Sequence, residues 1–143
     1  SRLWNRIRET EGLSYDVRSG VAWNNHEANS MWQASAIFAP QNAAKVETAL
    51  REEVARALKD GFKARELEEG QRALLNFRRL ARAQDGVLAS ALAANLYLGR
   101  TFAISQRVDA AISTLTLAQV NAALRKYLKP DEFAFALGGD FKP

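Results

Sequence analysis

The chain has 143 residues, 48% of them hydrophobic and 25% charged, which suits one domain with a packed core and excludes wholesale disorder. It has no cysteine and one histidine, His26. Disulfides, thiolate metal sites and thiol catalysis are thereby excluded, and a histidine-based zinc site within this chain is not expected. The net charge of +4 comes from bases interleaved with acids, as in Arg51, Glu52, Glu53 and Arg56. That pattern reads as solvated helix faces, so a nucleic-acid partner is not expected. No apolar run approaches the roughly 20 residues that a membrane span needs.

Residues 1–11 place Leu3, Trp4 and Ile7 at spacings of three and four, with Arg2, Arg6 and Glu9 between them. This predicts an amphipathic helix that stops at Gly12, because glycine accepts the left-handed conformation at a helix end. From Leu13 the period changes to two. Leu13, Tyr15, Val17, Val21 and Trp23 point one way, and Ser14, Asp16, Arg18 and Asn24 the other. This predicts a strand with one buried face. Residues 24–29 are polar and turn-rich and predict a hairpin loop. His26 lies in that loop; it reads as a loop residue, or as a ligand with Glu27 as its one adjacent partner.

A second strand is expected over residues 30–39. Trp32, Ala34, Ala36 and Phe38 share one face while Met31 and Ile37 lie on the other, the pattern of a more central strand. Pro40 ends it. A helix over residues 43–60 follows, with Asn42 as N-cap and Val46, Leu50, Val54 and Leu58 as core stripe. Glu47/Arg51 and Glu52/Arg56 form exposed pairs four residues apart. The next helix, 64–84, buries Leu67, Leu74, Phe77 and Ala81. Another face carries Arg72, Asn76 and Arg79, with Arg78 and Arg82 alongside; it reads as a solvated face or a domain interface, or else a binding groove. Residues 86–98, nearly uncharged, predict a helix buried on most sides. A fourth helical segment spans 104–113. Thr116 and Gln119 form a capping box that opens a fifth, with Val120, Leu124 and Leu128 inside. After Pro130, Phe133, Phe135 and Leu137 alternate with alanines and predict a final strand over 132–138.

Strands and helices are segregated, so the fold class is α+β, an antiparallel sheet covered by helices, in a single domain over 1–143. Three strands are thin cover for this much helix. The domain is therefore expected to lack its first strands at the N-terminus.

Several segments now resemble one family. Residues 1–15 (Ser-Arg-Leu-Trp-Asn-Arg-Ile-Arg-Glu-Thr-Glu-Gly-Leu-Ser-Tyr) are similar to a segment of the M16 zinc peptidases, the pitrilysin or insulinase-like family, in their non-catalytic C-terminal half. The resemblance continues through Ala39-Pro40 before the long helix, Gly61 ahead of Glu66-Leu67, and Thr116 to Val120. It closes with Tyr127 to Pro130 and Gly139-Asp140-Phe141.

That resemblance implies a set of expectations. M16 peptidases enclose a peptide chamber with repeated α+β domains. Their zinc sits in an N-terminal-half domain on a His-x-x-Glu-His motif. This chain lacks the motif, so the resemblance implies no catalytic residue and no metal ligand here, with zinc in a partner domain or subunit. It also implies that Arg8 and Tyr15, seven positions apart with Gly12-Leu13 between them, contact peptide substrate. On composition alone Arg8 reads as a surface helix residue beside an acid, and Tyr15 as a half-buried ring with its hydroxyl at an edge. Trp4, Trp23 and Trp32 read as core anchors. The alternative function is a catalytically silent M16-like subunit used in assembly. Further expectations are self-association through an exposed sheet edge and, from the resemblance, a periplasmic location.

Overall fold

A computed structural model describes residues 1–24 and 27–140. The chain divides into two compact units, Ser1–Gly61 with the segment from Leu124 onward, and Phe62–Ala123. Regular structure runs α1 (Arg2–Trp4), a π-helical turn (Asn5–Thr10), β1 (Ser14–Ala22), β2 (Met31–Phe38), a 3-10 turn (Pro40–Asn42), α2 (Ala43–Asp60), α3 (Ala64–Arg82), α4 (Asp85–Tyr97), α5 (Ala103–Thr114), α6 (Leu117–Tyr127) and a second 3-10 turn, Pro130–Glu132. The α+β class holds.

In the first unit, Leu3, Ile7, Val17, Val46 and Ala49 form the core, with Ile7 fully buried. Trp4, Leu13, Trp32, Ala34, Ala36, Phe38 and Leu50 surround them. The spacing of Leu3 and Trp4 from Ile7, four and three residues apart, thus does what it predicts: it turns the first helical turns onto the sheet and α2. Along α2, Val46, Ala49 and Val54 are buried, and so is the carboxylate of Glu53. Gly61 ends this helix with φ +73°, and its carbonyl accepts from the Arg2 guanidinium at 2.9 Å. Asn42 occupies the N-cap position but does not cap with its side chain. Its amide instead donates to the Leu13 carbonyl at 3.2 Å, fastening the start of α2 to the Gly12 turn.

β1 and β2 form a two-stranded antiparallel sheet with Val17 opposite Ala36 and Val21 opposite Trp32. Among the described residues β2 therefore has a partner on one side only, not the central position expected of it. Its outward residues Met31 and Ile37 are exposed, and so is Trp23, which the sequence placed in the core.

The final strand expected over 132–138 does not form. Beyond the 3-10 turn the chain is irregular and makes no ladder with β2. The alternation of phenylalanines there has a different cause. Phe133 stacks on Trp32 with ring centroids 5.4 Å apart, and the Arg51 guanidinium lies 4.1 Å from the Phe135 ring. Ring contacts, which need no backbone pairing, hold the segment.

In the second unit α3 packs against both α4 and α5. The Thr116–Gln119 capping box is present, the Gln119 backbone N–H donating to the Thr116 hydroxyl at 3.3 Å and the Thr116 backbone N–H to the Gln119 side-chain Oε1 at 2.9 Å. Two burial expectations fail here. Phe77 is 68% exposed, although Leu67, Leu74 and Ala81 of the same stripe are partly buried, along with Leu75, Arg78 and Arg82. α4 is not enclosed either, and Leu92 and Leu96 are exposed. Within this unit the main neighbour of α4 is α3, and Val87, Leu92, Leu96 and Tyr97 stay exposed.

Candidate functional site

The site is the turn at Gly12. The opening helix widens into a π-helical turn before it stops: the Glu11 N–H reaches back to the Arg6 carbonyl at 3.0 Å. The Leu13 N–H then bonds the Ile7 carbonyl at 2.9 Å, one residue further back than a usual glycine-ended helix allows. Gly12 makes this possible with φ +59°. A Cβ there would meet nothing within 4 Å, so the demand for glycine is conformational and not steric. Single π turns are frequent at functional sites.

A bulge then opens β1. Ser14 pairs with Phe38 and Asp16 with Ile37, leaving Tyr15 as the extra residue. The bulge shifts the alternation by one position. Ser14 is buried and its hydroxyl lies 2.7 Å from the Ile37 carbonyl and 2.8 Å from that of Asp16. Tyr15, expected half-buried beside Val17, is 79% exposed. Among the described residues its hydroxyl has no hydrogen-bond partner.

Arg8 and Tyr15 do come together. The Arg8 guanidinium lies 4.2 Å from the centroid of the Trp4 ring and 5.7 Å from that of Tyr15. Its ion-pair partner among the described residues is Glu9, at 3.8 Å. Ring contacts occupy the flat face of a guanidinium and leave its N–H edge available for oxygen. Trp4 was read as a core anchor. It borders the core, but it also carries Arg8 from one turn earlier. The four-residue Trp–Arg spacing on a helix is the signal that points to this contact.

Beneath the turn lies a charge network. Arg6 bonds Glu11 at 2.8 Å and Glu52 at short range, and stands 4.0 Å from the buried Glu53. Glu11 first, then Glu52, raise the Arg6 guanidinium above its already high ordinary value. Arg56 completes the network on Glu53 at 3.4 Å. The expected Glu52/Arg56 pair is thus replaced: Glu52 serves Arg6, and Arg56 serves Glu53. Glu47/Arg51 forms as expected at 2.8 Å. The network, the Asn42 amide and Ile7 together tie the Arg8-bearing turn to α2.

The other sequence candidates do not join this site. His26 lies outside the described residues. In the second unit Arg78 and Arg82 both bond Asp109, and Arg72 and Arg79 stay apart from that cluster. Among the described residues, no group of three or more His, Cys, Asp or Glu side chains could hold a metal ion. These residues do not fit a zinc site.

A family model described as peptidase M16 inactive domain matches residues 1–74, the stretch that holds Arg8, Gly12 and Tyr15. Among solved structures the chain is similar to the crystal structure of a peptidase M16 inactive domain from Pseudomonas fluorescens, with a TM-score of 0.77 and 23% identity over 92% of this chain. At that identity the likeness speaks for the fold. The chain spans 31% of the length of that solved chain. No curated protein matches it.

Proposed function

The chain belongs to the peptidase M16 inactive-domain family, and from that premise we propose that it forms the non-catalytic side of a zinc peptidase. In this reading it closes a peptide chamber over an N-terminal M16 domain or subunit that carries the zinc. Arg8 and Tyr15 reach from the Gly12 turn to the substrate, where they donate hydrogen bonds to backbone carbonyl oxygens and hold the peptide in place. A donor aimed at an oxygen that gains negative charge during the reaction lowers the barrier more than it strengthens ground-state binding.

The observation that carries this reading is the juxtaposition of the two side chains. One guanidinium, held across two rings, and one exposed phenol project from the same turn, and neither is consumed by a strong internal partner.

The test is kinetic and uses the full protein assembled with its zinc-bearing domain. Arg8→Ala and Tyr15→Phe are each expected to lower kcat by roughly 10²-fold, the usual cost of losing one such donor, with the thermal midpoint unchanged. Peptide turnover that stays at the wild-type rate in both variants overturns the substrate role and leaves an assembly function for the domain.

A further inference from the structure

We propose that the groove beside α3 docks an acidic helix of a partner protein, one that presents two carboxylates seven residues apart. The groove, of about 550 Å³, is lined by Glu68, Gln71, Arg72, Leu75, Asn76 and Arg79, with Ser113 opposite. Its wall is fixed from within: the Gln71 amide donates to the carbonyls of Ile112 at 2.8 Å and Leu115 at 3.1 Å, which pins α3 to the end of α5.

The arginines of α3 divide into two groups. Arg65 pairs with Glu69 at 2.7 Å, and Arg78 and Arg82 share Asp109. Arg72 and Arg79 are exposed, and among the described residues no carboxylate lies within ion-pair distance of either. Arg79 is steadied by the Asn76 amide oxygen at 3.0 Å. Two uncompensated guanidinium groups therefore stand on one face with an apolar residue, Leu75, between them in the groove. Seven residues advance a helix by about 10.5 Å. A second helix laid alongside repeats the same spacing on one of its faces, so carboxylates at positions i and i+7 meet both arginines.

The partner is a different protein and not a second copy of this chain. Within the described helices, the chain's own acids at that spacing are Glu53 and Asp60 on α2, and Glu53 is 6% exposed beneath Arg6 and Arg56. A polyphosphate backbone suits the groove less well, because its continuous run of negative charge cannot avoid Glu68 on the same wall, whereas two carboxylates seven residues apart can sit on Arg72 and Arg79 with uncharged residues between them.

The test needs the chain as it stands and three synthetic probes. The first is a labelled alanine-rich helical peptide with glutamates at i and i+7. The second has the same composition with glutamates at i and i+5, which lie about 140° apart around the helix and cannot both face the groove. The third is a single-stranded oligonucleotide. Fluorescence anisotropy is expected to show the i,i+7 peptide binding about ten-fold or more tighter than the i,i+5 peptide, with affinity falling as salt rises. The double variant Arg72→Glu/Arg79→Glu changes exposed side chains, and circular dichroism checks its fold. It is expected to lose that binding and to gain binding to a peptide with lysines at i and i+7. Equal binding of the two glutamate peptides overturns the proposal. So does an oligonucleotide that binds more tightly than the i,i+7 peptide with the same dependence on Arg72 and Arg79. None of these measurements involves peptide turnover, so they stand apart from the Arg8 and Tyr15 reading.

Discussion

Arg8 owes its position to residues that never touch a substrate. Trp4 carries the guanidinium, Ile7 anchors the turn from below, and Gly12 lets the chain reverse immediately afterwards. Each contributes by a different physical route, so each fails differently. Ile7→Ala empties a fully buried site and is expected to cost about 2–5 kcal/mol of stability, read as a lower urea midpoint. Gly12→Ala leaves packing untouched, since a Cβ has open space. It forces a residue with a side chain into the left-handed region, at a cost of about 1–2 kcal/mol. Gly12→Asn, which tolerates that region better, is expected to cost less. Equal midpoints for the alanine and asparagine variants would show that steric crowding, and not backbone conformation, sets the preference. At this scale the sequence was legible where one residue type has one use. The glycine stop, the Ala39-Pro40 strand end and the Thr116 capping box all appear as read. Tyr15 is not legible in the sequence, because its exposure depends on a one-residue bulge, and Ser14, whose buried hydroxyl bonds across it, reads as an ordinary outward polar residue.

The elements show where periodicity stops being informative. Alternating phenylalanines after Pro130 satisfy the period of a strand, yet they serve ring contacts with Trp32 and Arg51. Period alone does not distinguish a ladder from a row of anchors, because both ask for a side chain on every second position. Likewise α3 is amphipathic with Leu67, Leu74 and Ala81 on the inward face as predicted, but Phe77 leaves that face. Two arginines, Arg78 and Arg82, turn partly inward to meet Asp109 of α5, and Phe77 turns out. That ion-pair cluster sets a pH dependence. Arg78 first, with Arg82 adding to it, holds the Asp109 carboxyl below its ordinary value. With the folded value depressed, the stabilisation is complete above the unfolded value near pH 4 and is lost as pH falls through the folded one. Asp109→Asn is expected to destabilise the α3–α5 pair by about 1 kcal/mol at neutral pH and to flatten the acid limb of the stability profile. Helical circular dichroism across pH 2–7 measures both. An acid limb unchanged by the substitution would show that the Asp109 ion pairs do not set it.

On the scale of the whole molecule, apolar surface is distributed unevenly. The first unit encloses a core, whereas in the second no residue is fully buried, and α4 leaves Val87, Leu92, Leu96 and Tyr97 open. The sequence announced the apolar content of α4 correctly but could not say what covers it, because hydropathy records a demand for burial and not the identity of the neighbour. The sheet has the same property in its backbone. Two strands have two outer edges, each with a row of N–H and C=O groups that the other strand does not pair. Met31 and Ile37 add exposed apolar side chains along β2, and no charged side chain of β2 guards that edge. Such an edge favours strand addition by a second copy, so the isolated chain is expected to self-associate through it. Sedimentation velocity over a concentration series is expected to show a monomer–dimer equilibrium. Ile37→Lys places a charge on β2, the common device against edge pairing, and should shift the chain to monomer while its circular dichroism spectrum is kept. Ser90→Lys, on the exposed side of α4, serves as a charge-matched control and should leave the equilibrium where it was. A chain that stays monomeric at high concentration would remove the edge as an association site. Dimerisation abolished by Ser90→Lys but not by Ile37→Lys would move that site to the open face of α4.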